Sequence, residues 1–241
     1  MDLHLAQRVA VVTGAGRGIG RAIARMLARD GARVVLAART RAELEAVERE
    51  IRDAGGRACC VRTDLTDEAS IRGLFETTVR REGAPDLLIN NAGVGLYGPL
   101  ADFDSAALDR VLDVNLRGTF LCCREAMRIM IPRRRGYIIN IVSVVGIKGY
   151  PRQAAYTAAK HGVLGLTKSL AVEAQEHGIR VSAVLPGGVN TPMARQSRPD
   201  LDPGELMEPE DVAQAVAYLL SLSDRAAVDQ IYIRRRNSSP F

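Results

Sequence analysis

Tryptophan is absent from the chain, other aromatics are few, and only three histidines and four cysteines occur in 241 residues. The cysteines form two adjacent pairs, Cys59-Cys60 and Cys122-Cys123, neither with metal-ligand spacing, and three histidines are too few to complete a site. Free thiols are expected, and no metal. Aromatics do not interleave with the basic runs, which argues against a single-stranded nucleic-acid surface. The net charge of +5 suits an anionic ligand but is too modest to indicate nucleic acid as a partner. Long apolar runs are also missing, so no transmembrane helix is expected. Residues 1–10 lack the basic start and apolar core of a signal peptide. A soluble cytoplasmic protein is the expectation, without a membrane partner. No low-complexity linker or repeat divides the chain, whose length fits a single domain over residues 1–241.

What is present is an alternation of short β-branched runs with longer helical patterns. "RVAVVTG" precedes a helix from about Gly18 to Arg29. "ARVVLAA" precedes one from about Arg41, where Thr40-x-x-Glu43 has the spacing of a capping box and Gly55-Gly56 provide a stop. "RACCVRTDL", "PDLLINNAG", "GYIINIVS", "IRVSAVLPG" and "VDQIYIR" read as further strands, with helical patterns near 104–114, 116–131 and 154–176. Such alternation requires parallel strands joined by crossover helices on both sheet faces. The predicted fold is α/β, a doubly wound parallel sheet of about seven strands. Pro192–Pro209 reads as a loop or lid within it.

"VVTGAGRGIGRAIA" sets glycines at 14, 16, 18 and 20 between a strand and a helix. Without Cβ atoms, such a turn brings backbone N–H groups close to a pyrophosphate at the positive helix end. Further on, Tyr156 and Lys160 stand four apart on a predicted helix and face the same way. Ser143 ends the fifth strand, at the edge where open α/β sheets bind ligands. A tyrosine needs a stabilised phenolate to work near neutral pH, and a nearby ammonium favours that form. A serine hydroxyl can donate to a carbonyl oxygen as charge develops on it.

Thr13-Gly14-x-x-x-Gly18-x-Gly20, "NNAG" at 90–93, Ser143 and Tyr156-x-x-x-Lys160 occur in this order, and together they resemble the short-chain dehydrogenase/reductase family. The resemblance runs from Val9 to about Tyr232 and implies a Rossmann-like fold. It implies that Tyr156 gives or takes a proton, that Lys160 tunes it and holds the nicotinamide ribose, and that Ser143 orients the substrate. Asn115 in "DVNLRG" would serve a water-mediated proton relay through Lys160. The cofactor site would comprise Gly14, Arg17, Gly18, Ile19 and Gly20 in the glycine loop and Asp64 and Leu65 at the adenine. Asn91, Ala92 and Gly93 would lie on the nicotinamide side, Pro186 and Gly187 would shape its pocket, and Val189 and Thr191 would contact the carboxamide. The family's assembly implies a homodimer or homotetramer through the helices near 104–131 and 154–176.

One expected residue is missing. Where many dinucleotide-binding proteins end the second strand in an acid that holds the ribose 2′-hydroxyl, this chain has Ala38-Arg39. Ala38 removes the repulsion of a 2′-phosphate, and Arg39 can clamp it with paired donors, with Arg17 approaching from the other side. NADP(H) is therefore the expected cofactor, and a small-molecule carbonyl or alcohol the expected substrate. The leading reading is reduction of a ketone or aldehyde by hydride transfer; a 3-oxoacyl thioester reductase is one form of it. A catalytically silent NADP(H)-binding regulator of the same fold is the rival, and an NAD-linked enzyme would need an acid near position 38.

Two features depart from the family. The end, "DQIYIRRRNSSPF", replaces the usual strand and Gly-Gly, which puts the customary subunit contact there in doubt; Arg234–Arg236 and Arg133–Arg135 are both expected to be solvated. The substrate segment, Met193–Glu208, offers no long apolar lid. Val94, Leu96, Tyr97, Ile147 and Tyr150 are expected to line the substrate pocket, with Lys148 or Arg152 at its rim.

Overall fold

A computed structural model describes residues 3, 5–197 and 202–239. Its seven strands are β1 (Val9–Thr13), β2 (Arg33–Ala38), β3 (Arg57–Arg62), β4 (Leu87–Asn90), β5 (Gly136–Ile141), β6 (Ile179–Pro186) and β7 (Gln230–Ile233). All pair in parallel, in the order β3-β2-β1-β4-β5-β6-β7. Both faces of the sheet are covered, which is why the central strands read as unbroken apolar runs. Alternate residues of β1 serve opposite cores: Ala10 and Val12 pack on one side, Val9 and Val11 on the other. The α/β doubly wound reading holds.

On the first face lie α1 (Gly18–Arg29), α2 (Arg41–Asp53) and α8 (Pro209–Ser221). Their buried stripes include Ile23 and Leu27, then Leu44, Val47 and Ile51, then Val212, Val216 and Leu219. Each such leucine or isoleucine contributes roughly 1.5–3 kcal/mol by leaving water. The second face carries α3 (Glu68–Glu82), α5 (Gly118–Arg133) and α6 (Ala154–Gln175), with α4 (Ser105–Leu112) against α6. Asp67 starts α3 by accepting the Ala69 N–H at 2.9 Å, and Glu208 with Asp211 forms a reciprocal cap on α8. Strand order reverses at β1 and β4, so a crevice opens beyond the carboxyl ends of these strands.

Several expectations change. Thr40 makes no side-chain cap on α2; Glu43 instead reaches Arg17 at 3.4 Å, because an opposite charge in the glycine loop offers it a partner. The helical patterns at 104–114 and 116–131 are one run, with a wide π turn at Asp113–Arg117 between α4 and α5. Pro192–Pro209 is more than a loop: it holds the short helix α7 (Pro192–Ser197) and a 3₁₀ turn at Pro203–Glu205. Of the substrate segment, residues 198–201 lie outside the described residues.

Arg133–Arg135 and Arg236 are exposed as expected, but neither arginine cluster is merely surface charge. Arg133 and Arg135 close on buried Asp86 at 2.9 and 2.7 Å, since a carboxylate withdrawn from water needs compensating charge. Arg134, at a left-handed φ of 48°, ends α5 and donates to the Glu176 carbonyl at 2.6 Å. After β7 the chain turns back on itself, and Arg234 and Arg235 both stand half-buried against the crevice. Among the described residues no helix is long and apolar enough to cross a membrane, and no group of metal-binding side chains occurs. All four cysteines are free thiols.

Candidate active site

A single cavity of about 390 Å³ runs along the carboxyl edge of the sheet, from the ends of β2 and β3 to the turn after β7. Gly14 (φ 64°) and Gly18 (φ 53°) have the left-handed backbone that glycine adopts without strain. They set the start of α1 facing the cavity, as a pyrophosphate requires. Gly14, Arg17, Gly18 and Ile19 line the cavity, while Gly20 does not. Gly20 is buried, and a Cβ there would strike the Gly14 carbonyl, so it serves the approach of α1 to its own loop. Gly16 and Glu43 complete the lining on this side.

Asn91 also has a duty other than a ligand's. Its amide donates to the Thr13 and Gly14 carbonyls at 3.0 and 3.2 Å, while the Thr13 hydroxyl accepts the Asn91 and Ala92 N–H groups at 3.0 and 3.1 Å. The "NNAG" turn is thereby tied to the glycine loop. Asn90 continues inward: it donates to Asn140 at 2.9 Å, which donates to Thr167 on α6 at 2.9 Å. Asn91, Ala92 and Gly93 face the cavity, as do Asp64 and Leu65 beyond β3. Asp64 is held below the usual carboxylate range, chiefly by the Thr66 N–H, with Arg39 and Arg62 adding smaller effects. Arg39 lines the cavity and is exposed beside Ala38.

At the other end, Ser143, Tyr156 and Lys160 converge. Ser143 stands two residues past the end of β5, at the start of a 3₁₀ turn, rather than ending the strand; its hydroxyl accepts the Val145 N–H at 3.3 Å and hydrogen-bonds Tyr156. Lys160, only 4% exposed, donates to the Ile141 carbonyl at 3.0 Å, and its ammonium lies 5.7 Å from the Tyr156 ring centre. Tyr97 meets Tyr156 edge-on, ring centres 5.7 Å apart. Burial pushes the Tyr156 phenol well above its ordinary value, with Tyr97 adding to the rise and the Ser143 hydrogen bond opposing it. Burial lowers Lys160 from 10.5 to about 8. The direction is opposite to the expected depression, because desolvation of the phenolate outweighs the Ser143 hydrogen bond.

Asn115 does not line the cavity. It is fully buried in the π turn, where its amide donates to the Val94 and Val111 carbonyls, both at 2.9 Å, and its oxygen accepts the Val94 N–H at 3.1 Å. The two bonds to Val94 fasten the loop after β4 to the helix, while the one to Val111 stays within the helix. Gly93 lies between Asn115 and Lys160: a Cβ there would come within 2.7 Å of Asn115 Oδ1 and 3.9 Å of the ammonium.

Pro186, Gly187, Val189 and Thr191 line the cavity beyond β6. Val94, Tyr97 and Tyr150 line it as expected, but Leu96 and Ile147 turn outward, and Lys148 and Arg152 are not on its wall. Lys148 sits over the Tyr232 ring instead, 5.5 Å from its centre. Val145 and Gln153 take part where the sequence offered no motif to mark them, and Met193 and Leu206 reach the cavity from the expected substrate segment.

The short chain dehydrogenase family model matches residues 8–202. Among curated proteins, the chain is 43% identical over 225 residues to cis-4-hydroxycyclohexanecarboxylate dehydrogenase of Sinomonas cyclohexanicum, covering 90% of each. The crystal structure of levodione reductase superposes with a TM-score of 0.88 at 35% identity, over 96% of each chain. A metagenomic short-chain oxidoreductase in complex with NADP superposes with a TM-score of 0.86 at 40% identity, over 97% of this chain and 99% of that one.

Proposed function

Because this chain belongs to the short-chain dehydrogenase/reductase family, we propose that it is an NADP(H)-dependent oxidoreductase that reduces a ketone or aldehyde to an alcohol, or runs the reverse. The convergence of Ser143, Tyr156 and Lys160 beside the glycine-loop cavity carries this reading. The residues present fit the cofactor: the left-handed glycines admit a pyrophosphate, and a 2′-phosphate meets Arg39 with no acid at position 38. A solved relative holds NADP, and relatives named for cyclic alcohols and ketones support a small carbonyl substrate.

When bound, NADPH supplies the hydride to the carbonyl carbon. Ser143 and Tyr156 hold the carbonyl oxygen from one side. With its phenol kept neutral by burial, Tyr156 is poised to donate its proton to that oxygen as charge develops. Lys160, charged below about pH 8, would hold the nicotinamide ribose and favour the phenolate that remains. Asn115 holds the Val94 loop, with Gly93 between its Oδ1 and the Lys160 ammonium, and a water relay would have to pass there. Intact Ser143, Tyr156 and Lys160 favour an enzyme over a silent regulator, which has no use for a proton donor.

A panel of cyclic and linear ketones assayed with NADPH and NADH in parallel tests the reading. Oxidation of NADPH with at least one ketone, and a preference over NADH, is expected. Ala38→Asp combined with Arg39→Ala should swing that preference toward NADH; an unchanged ratio refutes the role given to Arg39. NADPH binding without turnover of any carbonyl would favour the regulator. The same reading includes a homodimer or homotetramer, supported by the exposed apolar side chains Phe120 on α5 and Val172 on α6, the latter 75% exposed. Val172→Glu should lower the mass seen by light scattering; an unchanged mass would remove α6 from the interface.

A further inference from the structure

The cavity divides by charge along the order of the strands. Its two lining carboxylates among the described residues, Glu43 and Asp64, belong to the half beyond β1–β3, where Arg17 and Arg39 line the wall with them and the charge is mixed. The half beyond β4–β7 is lined by three cations, Lys160, Arg234 and Arg235, and by no described carboxylate. Lys160 is committed to the Ile141 carbonyl beside Tyr156. The two arginines come from the turn after β7, in the run that departs from the usual family ending.

The arginines do different work. Arg234 shapes the turn: one of its nitrogens donates to the carbonyls of Arg235, Arg236 and Ser238. The Ser238 hydroxyl closes the turn further on the Arg235 carbonyl at 2.9 Å. The Gly187 N–H donates to the Ile233 carbonyl at 2.8 Å, which fixes the turn to the floor of the cavity. Arg235 is thereby laid across Gly188, where a Cβ would stand 3.1 Å from its Cδ and 3.0 Å from Leu206. Its side chain is only 17% exposed, yet its carboxylate partner, Glu205, reaches it at 3.7 Å and is itself half exposed. Among the described residues, a cation so withdrawn from water has only this long ion pair, approaching from outside the cavity, and is incompletely compensated. An oxyanion inside the cavity would supply paired acceptors for its planar donors.

We infer that Arg235, held by the Arg234 turn, is an anion subsite for the substrate, so that the enzyme takes ketones or alcohols bearing a carboxylate remote from the reacting carbon. This rests on the oxidoreductase reading above, and adds the substrate class to it.

The test pairs 4-oxocyclohexanecarboxylate and 5-oxohexanoate with their primary amides, which keep shape and lose charge. The wild-type protein with saturating NADPH should favour a carboxylate over its amide by about tenfold to a hundredfold in kcat/KM, the effect of one charge-assisted contact. Arg235→Met, which retains the stem over Gly188, should bring that ratio near one, and Arg235→Lys should restore part of it. Glu205→Gln should raise the ratio a few fold by removing the competing carboxylate. The inference is overturned if the wild type shows no preference, or if Arg235→Met weakens NADPH binding and leaves the ratio standing. If NADPH binds but no ketone is reduced, the activity reading fails by itself. The subsite is then decided by thermal shift of the NADPH complex: the carboxylates but not the amides should raise Tm, in the wild type and not in Arg235→Met, and equal shifts overturn it.

Discussion

Tyr156 and Lys160 lose water together as α6 packs behind β5, and burial acts on them in opposite senses. The phenol is held neutral and the amine is brought down to about 8. A neutral phenol is the form that donates, so the protein alone is set for reduction. Tyr156→Phe should cost turnover at least a hundredfold, the usual worth of a positioned acid, while NADPH still binds by fluorescence titration; substantial retained turnover would remove the acid role. Lys160 sets a pH limit. Its folded value lies below the ordinary amine, so between about 8 and 10.5 the folded state carries fewer protons than the unfolded one. Stability should therefore rise with pH across that window, while kcat/KM for NADPH, which reports the free enzyme, should fall as the ammonium discharges through about pH 8. A profile flat to pH 10 would contradict the exchangeable charge. Arg39 and Arg17 show why residue type does not fix residue use: Arg39 stands exposed at the cavity, whereas Arg17 already shares Glu43, the residue whose spacing suggested a helix cap.

Glycines within helices separate packing from propensity. Gly20 sits where a Cβ would collide with the Gly14 carbonyl and approach the Asn91 amide at 2.5 Å, both backed by buried structure. Gly73, in α3, has nothing within 4 Å of a Cβ. Gly20→Ala should destabilise by about 1–3 kcal/mol through overpacking and weaken NADPH binding. Gly73→Ala should stabilise by about 0.5–1 kcal/mol, because the helix gains propensity without strain. Urea melts of the two variants read both signs, and equal effects would show that the glycine loop relaxes more freely than its contacts imply. Elements with strong periodicity were the legible ones: the strands, α1, α2 and α6 follow from apolar spacing, as do Ser143, Tyr156 and Lys160 from their order. α3 and α8 went unassigned because their N-terminal signals, Asp67 and Glu208 with Asp211, stand in polar stretches that also read as turns. The Thr40 cap failed for a reason no local pattern holds, since Glu43 found a cation 26 residues away. Likewise the arginines at 133, 135 and 235 read as surface charge until the fold brought Asp86 and Gly188 beneath them.

Across the whole molecule, the two edges of the sheet divide the labour. At the carboxyl edge, loops converge on the cavity; at the amino edge, Asp86 joins the beginnings of three strands. Its carboxylate accepts the Val9 N–H at 3.0 Å, its own N–H donates to the Val9 carbonyl at 2.8 Å, and its carbonyl accepts the Tyr137 N–H at 2.9 Å. Burial pushes this acid upward, but the Val9 hydrogen bond with Arg133 and Arg135 outweighs it and holds the group below 3.8. A carboxylate depressed in the folded state contributes stability that is present above its unfolded value and lost as pH falls through the folded one. Asp86→Ala should therefore cost about 1–3 kcal/mol near neutral pH, because the Val9 N–H loses a charged acceptor while the exposed arginines can turn to water. The variant should also lose less further stability than the wild type on acidification below about pH 4. Because the strands are rigid and the cavity lies at their opposite ends, the NADPH dissociation constant well below Tm should not move. Thermal melts across pH, set beside NADPH titrations, check both halves of this expectation. A shift in cofactor affinity as large as the loss of stability would mean that the amino edge sets the strand register on which Ser143, Tyr156 and Lys160 converge, and that the two edges act as one unit.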